Sequence, residues 1–205
     1  NMKRIAVFCG SSTGHNNIYR ETAVLLGKYL VANRIGLVYG GGRVGLMGVL
    51  ADTVMDGQGE VIGVIPNLLR HEEVAHKKIT QMIVTRKMSK RKVKISKLVD
   101  GYITLPGGFG TMDELFEALT LGELAIEEKP VGILNINGFF EPMLKQLELM
   151  VREGFLHPEN QSMLLISDSV EGLFKKMEGY KASGHSKIVE AGNQNKMNAH
   201  VNDKL

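Results

Sequence analysis

The chain has a single cysteine, Cys9, in 205 residues. That excludes an intrachain disulfide and fits a reducing compartment. It also lacks any apolar run approaching the length needed to cross a bilayer. The short run Ile5–Cys9 behind Met2-Lys3-Arg4 is too brief for the apolar region of a signal peptide and reads as a first strand. No charge of one sign dominates. Lys and Arg number 25 against 22 Asp and Glu, a net charge of +3, so charge alone makes no case for a nucleic-acid partner. The one basic run, Arg86–Lys97, contains no interleaved aromatic side chain, which argues against stacking on single strands. No glycine run leads into Gly-Lys-Ser or Gly-Lys-Thr, so a Walker-type loop is excluded. These absences lead to the expectation of a soluble, cytoplasmic protein with neither a membrane nor a nucleic-acid partner.

What is present is a strict alternation of short apolar runs and helical patterns. The strand candidates are Ile5–Cys9, Gly36–Tyr39, Glu60–Ile65, Thr80–Thr85, Gly101–Leu105, Val131–Leu134 and Leu164–Ile166. Helical patterns cover Ile18–Val31, Leu46–Met55, Met88–Lys97, Thr111–Ala125, Phe140–Arg152 and Val170–Met177. The expected fold is α/β: a Rossmann-like three-layer α/β/α arrangement with a mainly parallel sheet covered on both faces. Residues 2–180 are read as one domain and 181–205 as a polar tail rich in Asn, Lys, His and Gly. Strands in such sheets deliver ligands to their carboxyl ends. Gly10-Ser11-Ser12, Gly40-Gly41-Gly42 and Pro106-Gly107-Gly108 each follow a strand and so should converge on one edge. Gly10, Ser11, Gly41, Gly42 and Gly107 are accordingly candidate ligand contacts.

The segment Pro106–Glu114 reads Pro-Gly-Gly-Phe-Gly-Thr-Met-Asp-Glu between a buried strand and a helix. Unpaired N–H groups at such a turn suit a phosphate, and its glycines permit close approach. The carboxylates that end it would repel phosphate, so the site should have two ends, one for phosphate and one for acid–base or cation-stabilising work. Gly40, Gly42 and Gly45 make a formal G-x-G-x-x-G. The following strand ends Val64-Ile65-Pro66-Asn67 without the acid a nicotinamide enzyme would place there. Phosphate or sugar contact and pure turn chemistry both stay open for this loop.

On a helix, Met88, Arg91, Lys92, Ile95 and Leu98 share one face. Arg91 and Lys92 therefore interrupt an apolar stripe, where an inward cation needs an anionic partner. The alternative is an ordinary charged face with snorkelling side chains; the interruption favours function for Arg91, with Glu114 or a bound phosphate as partner. His71, Glu72, Glu73 and His76 form a minor candidate for zinc, without any cysteine to join them; one of these acids projecting into the cleft is the better reading. Cys9 reads as a small buried side chain, with no histidine to pair with it.

Taken together, Phe8-Cys9-Gly10-Ser11-Ser12, Tyr39-Gly40-Gly41-Gly42, Arg91-Lys92, the 106–114 signature and Lys129-Pro130-Val131-Gly132-Ile133-Leu134-Asn135 resemble the LONELY GUY family. Its members are cytokinin riboside 5'-monophosphate phosphoribohydrolases, long labelled lysine decarboxylases. The resemblance runs from about Lys3 to Met177. It implies a Rossmann-like homodimer without an organic cofactor, hydrolysing a nucleoside 5'-monophosphate to free base and ribose 5-phosphate. By motif position, Arg91 and Glu114 match the catalytic pair. Lys92, Gly108, Phe109, Gly110, Thr111, Met112, Asp113 and Thr120 match substrate contacts, and Glu73 matches the family's acidic residue in its segment. Two stretches depart from the family pattern: Met88-Ser89-Lys90 precedes Arg91-Lys92 where a histidine commonly follows the methionine, and Leu121-Gly122-Glu123 stands where relatives often carry Trp-(Ala or Gly)-Gln. The second bears on base preference and makes plain AMP as good an expectation as its isopentenyl analogue.

Cleaving an N-glycosidic bond builds positive charge on the ribose, which a carboxylate can stabilise while orienting water. Glu114 takes that role in this reading. A non-catalytic carrier of a phosphorylated ligand on the same fold is the rival, and it has no use for Arg91 and Glu114.

Overall fold

A computed structural model describes residues 1–70 and 74–182. In chain order the elements are β1 (Arg4–Phe8), α1 (Asn17–Ala32), β2 (Gly36–Tyr39), α2 (Gly45–Asp56), β3 (Val61–Pro66), α3 (Asn67–Arg70), β4 (Gln81–Thr85), α4 (Met88–Leu98), β5 (Gly101–Thr104), α5 (Phe109–Glu123), β6 (Val131–Leu134), α6 (Glu141–Arg152), α7 (Pro158–Gln161), β7 (Leu164–Ser167) and α8 (Val170–Glu178). Each expected strand and helix is present, with ends displaced by at most two residues. The four-residue helices α3 and α7 carry too few side chains for a periodic pattern and were not expected. Residues 183–205, most of the expected tail, lie outside the described residues.

The strands form one seven-stranded sheet in the order β4-β3-β2-β1-β5-β6-β7, and every pairing is parallel. Side chains of successive strand residues point to opposite faces, and β1 shows the consequence. Ile5 and Val7 join an apolar cluster with Leu26, Leu30, Leu50 and Phe174 from α1, α2 and α8. Ala6 and Phe8 join another with Ile95, Leu115, Phe140 and Leu147 from the α4–α6 side. The near-continuous apolar strands are therefore buried from both sides, and the three-layer expectation holds.

The chain moves outward through β2, β3 and β4, then returns to place β5 on the other side of β1. This reversal leaves a crevice at the carboxyl ends of β1 and β5, where open α/β sheets bind ligands. Backbone hydrogen bonds fix the loops around it. The Gly10 N–H donates to the Pro106 carbonyl at 3.0 Å, and the Leu46 N–H donates to the Gly10 carbonyl at 3.1 Å. Gly45, at φ 63°, carries no side chain because a Cβ there would overlap the backbone of Ser11 and Ser12. The three loops thus converge as the sequence suggested.

Candidate active site

The crevice is organised along α5. Its amino end follows Gly107 and Gly108, and apart from the adjoining residues and the helix's own backbone nothing described lies within 4 Å of where a Cβ on Gly108 or Gly110 would stand. These glycines leave open space before the first N–H groups of a 15-residue helix, a site suited to an anion. A cavity of about 290 Å³ lies there, lined by Gly10, Ser11, Ser12, Gly107, Gly108 and the rings of Tyr19 and Phe139, among others.

The Gly40-x-Gly42-x-x-Gly45 loop behaves differently. A Cβ on Gly40 would meet Arg91 Nη2, one on Gly42 would meet Met47, and the Gly45 position is filled by Ser11. The Gly41 carbonyl accepts from the His76 N–H at 2.8 Å, and Gly42 bridges to Ala75. Protein atoms thus account for the absence of side chains in this loop, and of the two readings left open for it, the packing supports turn chemistry.

Glu114 lies on α5 five residues beyond Phe109, about 7.5 Å along the axis at 1.5 Å per residue. Its side chain is 19% exposed and Arg91 is 12% exposed, with Arg91 Nη1 lying 3.9 Å from Glu114 Oε1. Arg91 reaches in from α4, donating from Nε to the Val64 carbonyl at 2.9 Å and from Nη2 to the Gly40 carbonyl at 3.1 Å. A guanidinium has donors enough to bind two strand ends and still face a carboxylate. This explains a cation on the inward stripe of α4. Burial holds the Glu114 carboxyl above the ordinary carboxylate range; Arg91 and then Lys92 oppose that effect, while Asp113 and Glu117 add to it.

Lys92 is committed to its neighbours. Its Nζ lies 2.8 Å from Asp113 Oδ2 and also pairs with Glu117 Oε2, tying α4 to the first turns of α5. Burial alone would lower the Lys92 ammonium, but the hydrogen bonds it donates to Asp113 and Glu117 outweigh this and hold it above its usual range. Glu117 was not singled out from the sequence. Its only signal there is the helical spacing from Asp113 and Glu114, which puts all three near the same neighbour.

Beyond Glu114 a second cavity of about 550 Å³ is lined by Glu114, Glu117, Ala118 and Leu121 of α5, by residues of α4, and by Phe8 and Tyr102. Thr111 is buried beneath the amino end of α5, whereas Phe109 is 99% exposed. Thr120 is exposed and lines a separate small cavity with Leu147 and Met150 of α6; it is not brought together with Glu114. Glu73 lies outside the described residues, as do His71 and Glu72. His76 is buried and bonds through Nε2 to Asp52 Oδ1 at 2.6 Å, while its Nδ1 accepts from the Lys78 N–H at 3.0 Å. Both ring nitrogens are thereby used, and among the described residues no cluster of His, Cys, Asp and Glu could hold a metal ion. Burial, followed by the charge of Glu114, pushes the Cys9 thiol far up, which makes it inert as a nucleophile.

Residues 47–177 match the family model described as "Possible lysine decarboxylase". Two curated relatives carry a different description. A rice protein (Oryza sativa subsp. japonica), "Probable cytokinin riboside 5'-monophosphate phosphoribohydrolase LOGL2", is 41% identical over 91% of this chain and 76% of its own length. The Arabidopsis thaliana "Cytokinin riboside 5'-monophosphate phosphoribohydrolase LOG1" is also 41% identical, over 91% of this chain and 87% of its own. The chain belongs to the LONELY GUY family. Among solved structures, the molybdenum cofactor binding protein of Rippkaea orientalis superposes with a TM-score of 0.66 at 21% identity, over 87% of this chain and 97% of that one. The molybdenum cofactor carrier protein of Chlamydomonas reinhardtii gives 0.65 at 19% identity, over 87% and 98%. These two likenesses concern the fold alone. The decarboxylase label sits poorly with the LONELY GUY site, because Lys92 is held protonated by two carboxylates and is no candidate for an amine nucleophile.

Proposed function

We propose that the chain hydrolyses the N-glycosidic bond of adenosine 5'-monophosphates, plain or substituted on the base, to free base and ribose 5-phosphate. The observation that carries this reading is the order of features along α5: an open anion site at its amino end, a buried carboxylate about 7.5 Å further on at 1.5 Å per residue, then a large, mostly apolar cavity. A 5'-phosphate, a ribose and a base follow one another in the same order. With the phosphate on the N–H groups of the 107–111 loop, C1' comes to Glu114 and the base enters the cavity.

In the reaction the bond from C1' to the base breaks, and its electron pair leaves with the base, which takes up a proton. Positive charge gathers on C1' and the ring oxygen. Glu114, ionised, faces that charge and orients the water whose oxygen bonds to C1'. Arg91 fixes the carboxylate in place and helps to keep it ionised despite its burial. Lys92, paired with Asp113 and Glu117, holds the two helices that carry the pair. A carrier would need the anion site and the cavity but not the Arg91–Glu114 pair.

The proposal extends to a homodimer in the cytoplasm. Met88, Val93, Phe109 and Ile126 are exposed apolar side chains, and Val93 and Ile126 rim the larger cavity, so a second copy over α4 and α5 would close its outer wall. Sedimentation velocity should give a dimer mass; a monomer at micromolar concentration removes this part. For the reaction, the purified protein should release adenine and ribose 5-phosphate in equal amounts from AMP or its isopentenyl analogue. Binding of both without release of either product would favour the carrier instead.

A further inference from the structure

His76 is the only buried side chain in residues 74–80, and no step of the proposed reaction uses it. It belongs to a short strap that lies against the glycine loop after β2. The His76 N–H donates to the Gly41 carbonyl and the Arg43 N–H to the Val74 carbonyl, both at 2.8 Å, with an antiparallel bridge between Gly42 and Ala75. The imidazole ties this strap to α2. Its Nε2 lies 2.6 Å from Asp52 Oδ1, and its Nδ1 accepts from the Lys78 N–H at 3.0 Å. An acceptor at Nδ1 puts the ring proton on Nε2, which donates it to the Asp52 carboxylate. An apolar side chain would fill the same space without fixing a direction. Two hydrogen bonds on different ring nitrogens fix both the position and the orientation of the strap.

What the glycine loop holds in turn is Arg91. The Gly40 carbonyl accepts from Arg91 Nη2 at 3.1 Å, and a Cβ on Gly40 would overlap that nitrogen. The same guanidinium faces Glu114 at 3.9 Å. Tyr39 Oη donates to the Gly42 carbonyl at 2.8 Å, so β2 itself fixes the far end of the loop. The Gly41 carbonyl, next to Gly40, is bonded to the strap instead. A strap that slips therefore carries the Gly40 carbonyl with it and changes the spacing between Arg91 and Glu114. A misplacement of about 1 Å can cost up to about a hundredfold in rate even when it starts far from the chemistry.

We infer that His76 is a positioning residue for the reaction: through its bond to Asp52 it holds the glycine loop where the Gly40 carbonyl sets Arg91 against Glu114. This rests on the proposed phosphoribohydrolase activity. His76 touches neither the anion site nor the larger cavity, so its effect falls on the rate of the bond-breaking step and not on binding.

The test reads kcat, KM and the pH profile of kcat with AMP or its isopentenyl analogue. His76→Leu keeps the burial and removes both side-chain bonds; kcat should fall about tenfold while KM changes by less than about twofold. The acid limb of kcat should also move to higher pH, because a displaced Arg91 opposes less of the burial that raises the Glu114 carboxyl. His76→Gln, whose amide can still donate to Asp52, should recover most of the loss, whereas His76→Asn, which keeps only an acceptor for Lys78, should not. Should His76→Leu fail to fold, Asp52→Ala, at a side chain 63% exposed, should move the limb in the same direction. An acid limb left in place overturns the inference, whatever happens to Tm, since an ordinary buried histidine would lower Tm alone. Hydrogen exchange at Arg91 Nε–H, followed by nitrogen-15 NMR, gives a readout apart from activity: it should be faster in His76→Leu, and an unchanged rate overturns the inference. If wild type leaves both nucleotides intact, the hydrolase reading fails and the exchange rate alone judges His76.

Discussion

Replacing Arg91 with alanine strips three oxygens of their partner at once: the carbonyls of Val64 and Gly40, and the carboxylate of Glu114. Two hydrogen bonds from a charged donor, at about 1.5–3 kcal/mol each, suggest a stability loss of roughly 3–6 kcal/mol. The loss of one partner from a buried ion pair gives a similar range, about 3–5 kcal/mol. These describe the same side chain and are not additive. At about 2–4 °C per kcal/mol for a chain of this size, a loss of about 3–5 kcal/mol lowers Tm by roughly 6–20 °C. A merely structural arginine would do the same, so stability alone does not test its role.

The pH profile does. At 3.9 Å, a charge pair in an effective dielectric of about 20 interacts by roughly 4 kcal/mol before solvent screening reduces it. Arg91 thus lowers a Glu114 carboxyl that burial has raised. In the proposed reaction Glu114 acts in its ionised form, so kcat should fall on the acid side as it takes up its proton. Without Arg91 that pKa rises further, and the acid limb must move to higher pH. Arg91→Lys keeps a charge but cannot span all three oxygens, so its limb should lie between the other two. The assay is kcat against pH on the folded fraction, below the melting range of each variant. An unshifted limb with a normal rate in Arg91→Ala would refute this use of the arginine.

Three further substitutions follow from the same geometry. Glu114→Gln should abolish turnover, yet its Tm at neutral pH should equal or exceed that of wild type: a carboxyl whose folded pKa is raised destabilises the fold above that pKa. A clear drop in Tm would contradict the burial argument. Gly110→Ala places a methyl group in open space on the first turn of α5; it should stabilise the helix by about 0.5–1 kcal/mol while raising KM for the nucleotide, and an unchanged KM would move the phosphate elsewhere. Ala125, just past the end of α5, holds φ 52°, so Ala125→Gly should raise stability by about 1 kcal/mol, or Tm by about 2–4 °C, in thermal unfolding.

Much of this was legible in the sequence because the signals are local. Continuous apolar strands, glycine turns at their ends and a charged pair on an inward helical stripe each constrain their own neighbourhood. Arg91 was found because a cation on the Met88–Leu98 stripe is costly without partners, although two of those partners proved to be carbonyls of distant strands. The Gly40 loop was ambiguous because a glycine kept for a ligand and one kept for Arg91 look alike until the side chain is placed. Glu117 was not seen for a related reason. Its contact with Lys92 crosses from α4 to α5. Thr120 was carried over by motif position, and the helix turns it away from Glu114.

The most direct test of the central claim is a structure of Glu114→Gln with AMP bound. The account places the phosphate on the N–H groups at the amino end of α5, C1' against residue 114 and the purine in the cavity beside Ala118 and Leu121. A phosphate bound instead at Lys92, or a purine lodged between Tyr19 and Phe139, would contradict it.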